Sequence, residues 1–119
     1  MNFRTVLFAI GLLAASAVQA QTGPVKTVSG MLVGANGMTL YTFDKDADGK
    51  SVCNGACATN WPPVMAEGTV AGDYSTVTRD DGKAQIAYKG KPLYYWVKDT
   101  KAGDTTGDNF NNVWHIAKP

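Results

Sequence analysis

The sequence predicts an all-β domain of two tandem β-hairpin repeats, offset by 53 residues and packed with pseudo-twofold symmetry as a small sandwich or barrel. Three observations support this fold class. Beyond the first 20 residues, no window shows sustained apolar spacing at three, four and seven residues, as a helix would. Aromatic side chains dominate the apolar content there, and they suit the pleated surface of a sheet. Glycines and Asn-Gly or Asp-Gly pairs interrupt the chain as turns between strands do.

The first 20 residues have the features of a secretory signal peptide. A single cation, Arg4, precedes an unbroken apolar stretch over residues 6–15, and small residues at Val18 and Ala20 provide a cleavage site. The apolar stretch is too short to span a bilayer, which takes about 20 residues. We therefore expect cleavage after Ala20, which leaves residues 21–119 as one periplasmic or secreted domain without a transmembrane segment.

The charge of the exported part argues against nucleic acid as a partner. Loss of Arg4 with the signal lowers the 11 Lys and Arg residues to 10, equal to the 10 Asp and Glu residues, so no basic field remains to attract a polyanion. A single histidine, His115, allows no Ser-His-Asp set to be assembled with confidence. We therefore predict a non-enzymatic binding or envelope-associated module without a cofactor, with an envelope component as the candidate partner.

The first half of the domain is predicted to be a hairpin followed by a loop. Asn36-Gly37 between two apolar runs is a strong hairpin signal, because both residues tolerate a positive φ. Two prolines after Trp61 require an extended chain there. The predicted elements are a strand at 25–33 with a weak point at Ser29-Gly30, a turn at 35–37, a strand at 38–43, a loop at 44–55 and a short helical turn at 56–60 near the cysteine pair.

The second half is predicted to contain a second hairpin, followed by a polar loop and a last strand. Lys89-Gly90 marks the turn of a second hairpin, and Asp81-Gly82 marks the turn before it. The predicted elements are a connector at 67–72, strands at 75–78, 84–88 and 92–97, a polar loop at 99–112 and a last strand at 113–117.

The two hairpins are copies of each other. A shift of 53 gives six identities over the 25 positions 37–61, where random pairing gives about one or two. Such a gap-free match predicts two similar units, at about 25–66 and 74–117, that share one core. The identical pairs are Gly37 and Gly90, Leu40 and Leu93, Tyr41 and Tyr94, Lys45 and Lys98, Asp46 and Asp99, and Trp61 and Trp114.

Both copies carry the pattern Tyr-x-(aromatic)-x-x-Asp. The period of two in a strand places both rings on one face, and each aspartate falls where the chain turns, so that it can accept turn N–H groups or a tyrosine hydroxyl. We interpret the motif as structural, with a ring-lined groove that has a carboxylate at its mouth as the alternative. The candidate residues are Tyr41, Phe43 and Asp46, then Tyr94, Trp96 and Asp99, with Trp61 and Trp114 as aromatic anchors.

These residues resemble those of the bacterial secreted-repeat proteins, also described as predicted lipoproteins with a Tyr-x-(Phe/Trp/Tyr)-x-x-Asp motif. The resemblance extends over about 25–117 and includes the segments Cys53-Asn54-Gly55-Ala56-Cys57 and Trp61-Pro62-Pro63. That family has no established activity, so the resemblance implies an exported module without assigning a mechanism. Many members look like lipoproteins with a cysteine at the cleavage site. Here that site is Ala20-Gln21 and the first cysteine is Cys53, so no lipid anchor is predicted.

Cys53 and Cys57 are predicted to form a disulfide. An even cysteine count in an exported protein favours pairing, and residues four apart in a helical turn lie close enough for a bridge. The alternative is a metal or redox protein in which both thiolates and His115 hold copper. Zinc is not favoured, because a structural site takes four ligands.

Overall fold

The computed structural model describes residues 25–68 and 70–119. The predicted signal peptide and its cleavage site at Ala20 lie outside the described residues. Within the described ranges, no helix has the length and hydropathy needed to cross a bilayer. The elements are β1 (Val25–Val28), β2 (Met31–Gly34), β3 (Tyr41–Phe43), helix α1 (Ala56–Asn60), β4 (Tyr74–Thr78), β5 (Ala84–Tyr88), β6 (Lys91–Pro92), a 3₁₀ helix (Phe110–Asn112) and β7 (Trp114–Ile116).

The strands form three small antiparallel sheets, with the orders β1-β2, β3-β7 and β4-β5-β6. The all-β prediction and the single helical turn at Ala56–Asn60 are therefore confirmed. The sheets do not close on one another, so the barrel alternative is not realised. In the β3-β7 sheet, Tyr41 lies opposite Ile116 and Phe43 lies opposite Trp114, which joins the first repeat to the end of the second.

Three predicted strands differ from the structure. The one predicted at 38–43 is limited to Tyr41–Phe43, with one isolated bridge between Thr39 and Val33 before it. At the weak point of the strand 25–33 the chain reverses, with φ of 52° at Ser29 and 76° at Gly30, and β1 pairs with β2. Two consecutive positive φ values suit a tight hairpin turn, so the prediction of one continuous strand was wrong. The strand predicted at 92–97 is also shorter, because Tyr94 leaves its own hairpin and pairs with Tyr41.

A pseudo-twofold axis passes between Tyr41 and Tyr94. The Tyr41 N–H donates to the Tyr94 carbonyl at 2.8 Å, and the Tyr94 N–H donates to the Tyr41 carbonyl at 3.0 Å. Three further backbone hydrogen bonds occur in pairs that this axis relates. The Leu40 N–H donates to the Leu32 carbonyl, as the Leu93 N–H donates to that of Ile86. In the same way, Leu32 donates to Ala117 as Ile86 donates to Val64, and Ala117 donates to Leu40 as Val64 donates to Leu93. The last segment of each repeat therefore completes the sheet of the other repeat.

The core has two layers. One is aliphatic and contains Val25, Leu32, Leu40, Val64, Ile86, Leu93 and Ala117. The other is mainly aromatic and contains Tyr41, Cys53, Trp61, Tyr94, Trp96 and Trp114. The neighbours Leu40 and Tyr41 enter different layers, as the period of two in a strand requires. Aromatic rings dominate only the second layer, since four fully buried leucine and isoleucine side chains hold the first.

Candidate functional site

The repeated motif forms two reciprocal bonds between the repeats. The Tyr41 hydroxyl donates to Oδ2 of Asp99 at 2.7 Å, and the Tyr94 hydroxyl donates to Oδ2 of Asp46 at 2.6 Å. Each tyrosine thus binds the aspartate of the other copy, and we call these two contacts the Tyr–Asp latches. The motif residues lie in two separate latches and do not converge on one open pocket.

The second oxygen of each carboxylate fixes the loop that follows it. Oδ1 of Asp46 accepts the Val52 N–H at 2.8 Å. Oδ1 of Asp99 accepts the Thr106 N–H at 3.0 Å and the Thr106 hydroxyl at 2.6 Å. Each aspartate therefore accepts hydrogen bonds from both partners predicted for it, a tyrosine hydroxyl and a loop N–H. The tyrosine belongs to the opposite repeat.

Burial raises the pKa values of both tyrosines and of Asp46 in the latches. Burial, and then the hydrogen bond to Asp99, raise the pKa of Tyr41 above that of an ordinary tyrosine. Burial and the hydrogen bond to Asp46 raise the pKa of Tyr94 in the same way. The pKa of Asp46 is also raised by burial, although the hydrogen bonds from Tyr94 and Val52 act in the opposite direction. Both hydroxyls therefore keep their protons at neutral pH and donate them to the carboxylates.

Four rings stack across the axis between the repeats, in the order Phe43, Trp114, Trp61 and Trp96. Their successive centroids are separated by 4.2, 3.8 and 4.0 Å, and the central pair is within 2° of parallel. Members from the first and second repeats alternate. The chain at Gly107 runs close to this stack, since a Cβ there would lie 2.8 Å from the Trp61 ring. The two predicted aromatic anchors are thus the centre of the aromatic layer.

A buried arginine connects the second repeat to the cysteine loop. The Arg79 side chain donates from Nη1 to Ser51 Oγ at 3.0 Å and to Gln85 Oε1 at 2.8 Å, and from Nη2 to the Cys53 carbonyl at 2.7 Å. Ser51 Oγ lies 2.6 Å from the Tyr94 hydroxyl, which links Arg79 to one latch. The role of Arg79 was not predicted from the sequence. The available signal was that Arg79 is the only arginine after residue 20, and arginine is the cation best suited to burial.

Cys53 and Cys57 form the predicted disulfide. Neither sulfur is therefore a thiolate, which removes two of the three ligands of the copper alternative. The third, His115, instead has Nε2 at 2.8 Å from Oδ2 of Asp44. Over the ranges that the structure describes, no three His, Cys, Asp or Glu side chains are grouped to hold a metal ion.

Reduction of the disulfide is expected to lower the free energy of unfolding by about 2 kcal/mol, because a short closed loop removes little entropy from the unfolded chain. Urea unfolding with and without reductant measures this difference. The control is a Cys53→Ala, Cys57→Ala variant, whose stability should not respond to reductant. A loss above about 4 kcal/mol would show that the bond does more than close its loop.

Two open grooves lie at positions related by the pseudo-twofold axis. The first has a volume of about 330 Å³, and we call it the cationic groove because three lysines and one carboxylate border it. Its polar border consists of Thr42, Asp44, Lys89, Lys91, His115 and Lys118. The second has a volume of about 300 Å³, and we call it the apolar groove because five of its seven bordering residues are apolar or aromatic. These residues are Ala35, Asn36, Pro63, Val64, Met65, Glu67 and Tyr95. The shift of 53 relates Thr42 to Tyr95 and Lys118 to Met65. The copies therefore share a frame and differ in the chemistry of this surface.

The Asp44–His115 contact distinguishes the cationic groove further. His115 on β7 lies opposite Thr42 on β3, so both belong to the same sheet beside the groove. The positions equivalent to Asp44 and His115 in the other copy are Val97 and Pro62, which cannot form this contact. The groove was not predicted from the sequence. The available signal was the difference in charge between equivalent positions of the two copies.

An adjoining depression of about 260 Å³ has an acidic side. It is bordered by Asp44, Asp46 and Asp48 on that side and by residues 89–92 on the other. Of the motif residues, Phe43 and Asp46 border this depression, but both oxygens of Asp46 already accept hydrogen bonds.

Comparison with known families agrees with this duplicated architecture. A family described as "Secreted repeat of unknown function" matches residues 23–65 and 75–118. Comparisons with curated proteins and with solved structures gave no match. The two matched ranges correspond to the two halves that the pseudo-twofold axis relates. The chain therefore belongs to the family of secreted repeats of unknown function.

Proposed function

We propose that residues 1–20 are removed as a signal peptide and that 21–119 is a single non-enzymatic binding module of the cell envelope. In this proposal the Tyr–Asp latches are scaffolding, and the cationic groove is the binding surface. The observation that carries it is the difference between the grooves. One is bordered by three lysines, a histidine and an aspartate, whereas the other has Asn36 in place of Lys89 and Met65 in place of Lys118.

The state of the latches supports the scaffolding role. Both oxygens of Asp46 and Asp99 accept hydrogen bonds from within the chain. The Tyr41 and Tyr94 hydroxyls are completely enclosed, since neither residue has exposed surface. A hydroxyl with a raised pKa is a weak nucleophile at neutral pH. The motif thus supplies neither a free base nor an accessible nucleophile.

The cationic groove differs from the enclosed latches in its exposure to solvent. Lys89, Lys91 and Lys118 are exposed, and the His115 side chain is 38% exposed. Its frame is rigid, because it lies beside the β3-β7 sheet and next to the turn between β5 and β6. Exposed polar groups on a fixed frame are suited to binding a ligand from solution.

Cosedimentation with isolated bacterial envelopes tests the proposal. We expect residues 21–119 to cosediment, and the variant Lys89→Gln, Lys91→Gln, Lys118→Gln to bind at least tenfold more weakly. The matched control is Lys50→Gln, Lys101→Gln, which removes exposed cations that contact Asp80 and Asp104 elsewhere. The stability of all variants should stay within about 0.5 kcal/mol of the original, as is usual for surface changes.

Two results would contradict the proposal. One is equal sedimentation of the groove variant and the original protein, which would place binding elsewhere. The other is no sedimentation of the original protein, which would remove the envelope as the partner.

A further inference from the structure

We propose that the ligand of the cationic groove is a phosphate group. This inference rests on the proposed function of the groove and adds the chemical class of what it binds.

The cationic groove has an excess of positive charge. Over residues 25–68 and 70–119, the lysines within 4.0 Å of a carboxylate are Lys50 and Lys101. The ammonium groups of Lys89, Lys91 and Lys118 lie outside that distance from any carboxylate in this part of the chain. Three ammonium groups and the Asp44 carboxylate therefore border one groove. Their net charge of about +2 is complemented by a ligand with about two negative charges.

A neutral donor, the Thr42 hydroxyl, lies beside those charges. Thr42 and His115 are half-buried and lie opposite each other in the β3-β7 sheet. The Thr42 hydroxyl is able to donate a hydrogen bond. The Nε2–H of His115 donates to the Asp44 carboxylate, so Nδ1 of the neutral ring carries no proton and gives an anion no hydrogen bond. A bound anion would thus have the Thr42 hydroxyl on the sheet side and ammonium groups around it.

The kind of cation in the groove favours phosphate over carboxylate. Planar carboxylates are best matched by the fork of an arginine, and Arg79, the arginine of the described chain, is buried in another network. Ammonium groups on flexible stems act as point charges and can approach a tetrahedral anion from several sides. A phosphomonoester also carries a charge of about −1.5 to −2 at pH 7, against −1 for a carboxylate.

The acidic surface beside the groove limits the size of the anion. The depression next to the groove is bordered by Asp44, Asp46 and Asp48. A long polyanion that followed the surface from the groove would pass these carboxylates and be repelled. The arrangement therefore favours an isolated or terminal phosphate over a continuous chain of phosphates.

Amide NMR spectra of residues 21–119 during titration with sodium phosphate at pH 7.5 and constant ionic strength test this inference. We expect saturable shifts at Thr42, Lys89, Lys91 and His115, and no shifts around Met65 in the apolar groove. The variant Lys91→Gln, Lys118→Gln should weaken binding at least tenfold, while Lys50→Gln, Lys101→Gln should not change it. Sodium acetate at the same ionic strength controls for carboxylates.

Vesicles distinguish the source of the phosphate. Binding of inorganic phosphate without binding to either kind of vesicle would indicate a soluble phosphorylated ligand. Binding also to phosphatidic acid vesicles, but not to phosphatidylcholine vesicles, would indicate a lipid headgroup. The inference is overturned if phosphate and acetate give equal shifts, or if neither phosphate nor phosphatidic acid binds. Groove-dependent envelope binding without phosphate binding would overturn this inference alone and leave the proposed function standing.

Discussion

Replacement of Trp61 by alanine is expected to lower the free energy of unfolding by about 3–5 kcal/mol, as is typical for a large core residue. The Trp61 side chain is 4% exposed and contacts both neighbours in the four-ring stack. Its loss removes buried apolar area and separates rings that come from different repeats. Small domains have about 5–15 kcal/mol of stability in total, so this single change should remove a large share of it.

Urea unfolding followed by far-UV circular dichroism measures the effect without relying on tryptophan fluorescence. The matched control is Phe110→Ala, because Phe110 also contacts Trp61, at 5.8 Å between centroids, but is 40% exposed. We expect the control to lose less than about 1.5 kcal/mol, since much of that ring is already in water. Equal losses in the two variants would contradict a central role for the stack.

The second large effect is the coupling of each tyrosine to the aspartate of the opposite repeat. Tyr41→Phe is expected to lower the free energy of unfolding by about 1.5–3 kcal/mol, the usual value of a hydrogen bond to a charged group. In a double-mutant cycle, Tyr41→Phe and Asp99→Asn should show a coupling energy of about 1–2 kcal/mol. Their oxygens are 2.7 Å apart in a buried position.

The same cycle with Asp46→Asn provides the control. Asp46 lies five residues from Tyr41 in its own motif, but its hydrogen bond goes to Tyr94. We expect a coupling energy below about 0.5 kcal/mol for Tyr41 and Asp46, as for residues that share no contact. Stronger coupling within one motif than between the motifs would contradict the reciprocal arrangement of the latches.

The duplication could be predicted because identical residues recur at one fixed offset. The match of Tyr41, Asp46 and Trp61 with Tyr94, Asp99 and Trp114 requires only the sequence. The partner of each tyrosine could not be predicted, because Asp46 and Asp99 are equally suited to accept its hydrogen bond. That choice depends on which strands meet, and Tyr41 meets Tyr94 across the axis.

The candidate site was harder to predict than the fold. Local signals such as Lys89-Gly90 identify a turn, but they do not show that it lies beside His115 and Lys118 at the other end of the domain. Arg79 and Ser51 are also far apart in sequence, and their contact depends on packing that no local pattern encodes. The surfaces formed by residues distant in the chain therefore required the structure.

The reciprocal contacts between the repeats have a consequence for the origin of the two unlike surfaces. Two separate copies of one half would make the same set of bonds as a homodimer, but identical sequences would force their two surfaces to be identical. Fusion of the halves into one chain removes that constraint, because each half can then acquire substitutions on its own. Lys118 and Met65 occupy equivalent places with different chemistry. A tandem gene allows this difference, whereas a symmetric homodimer does not.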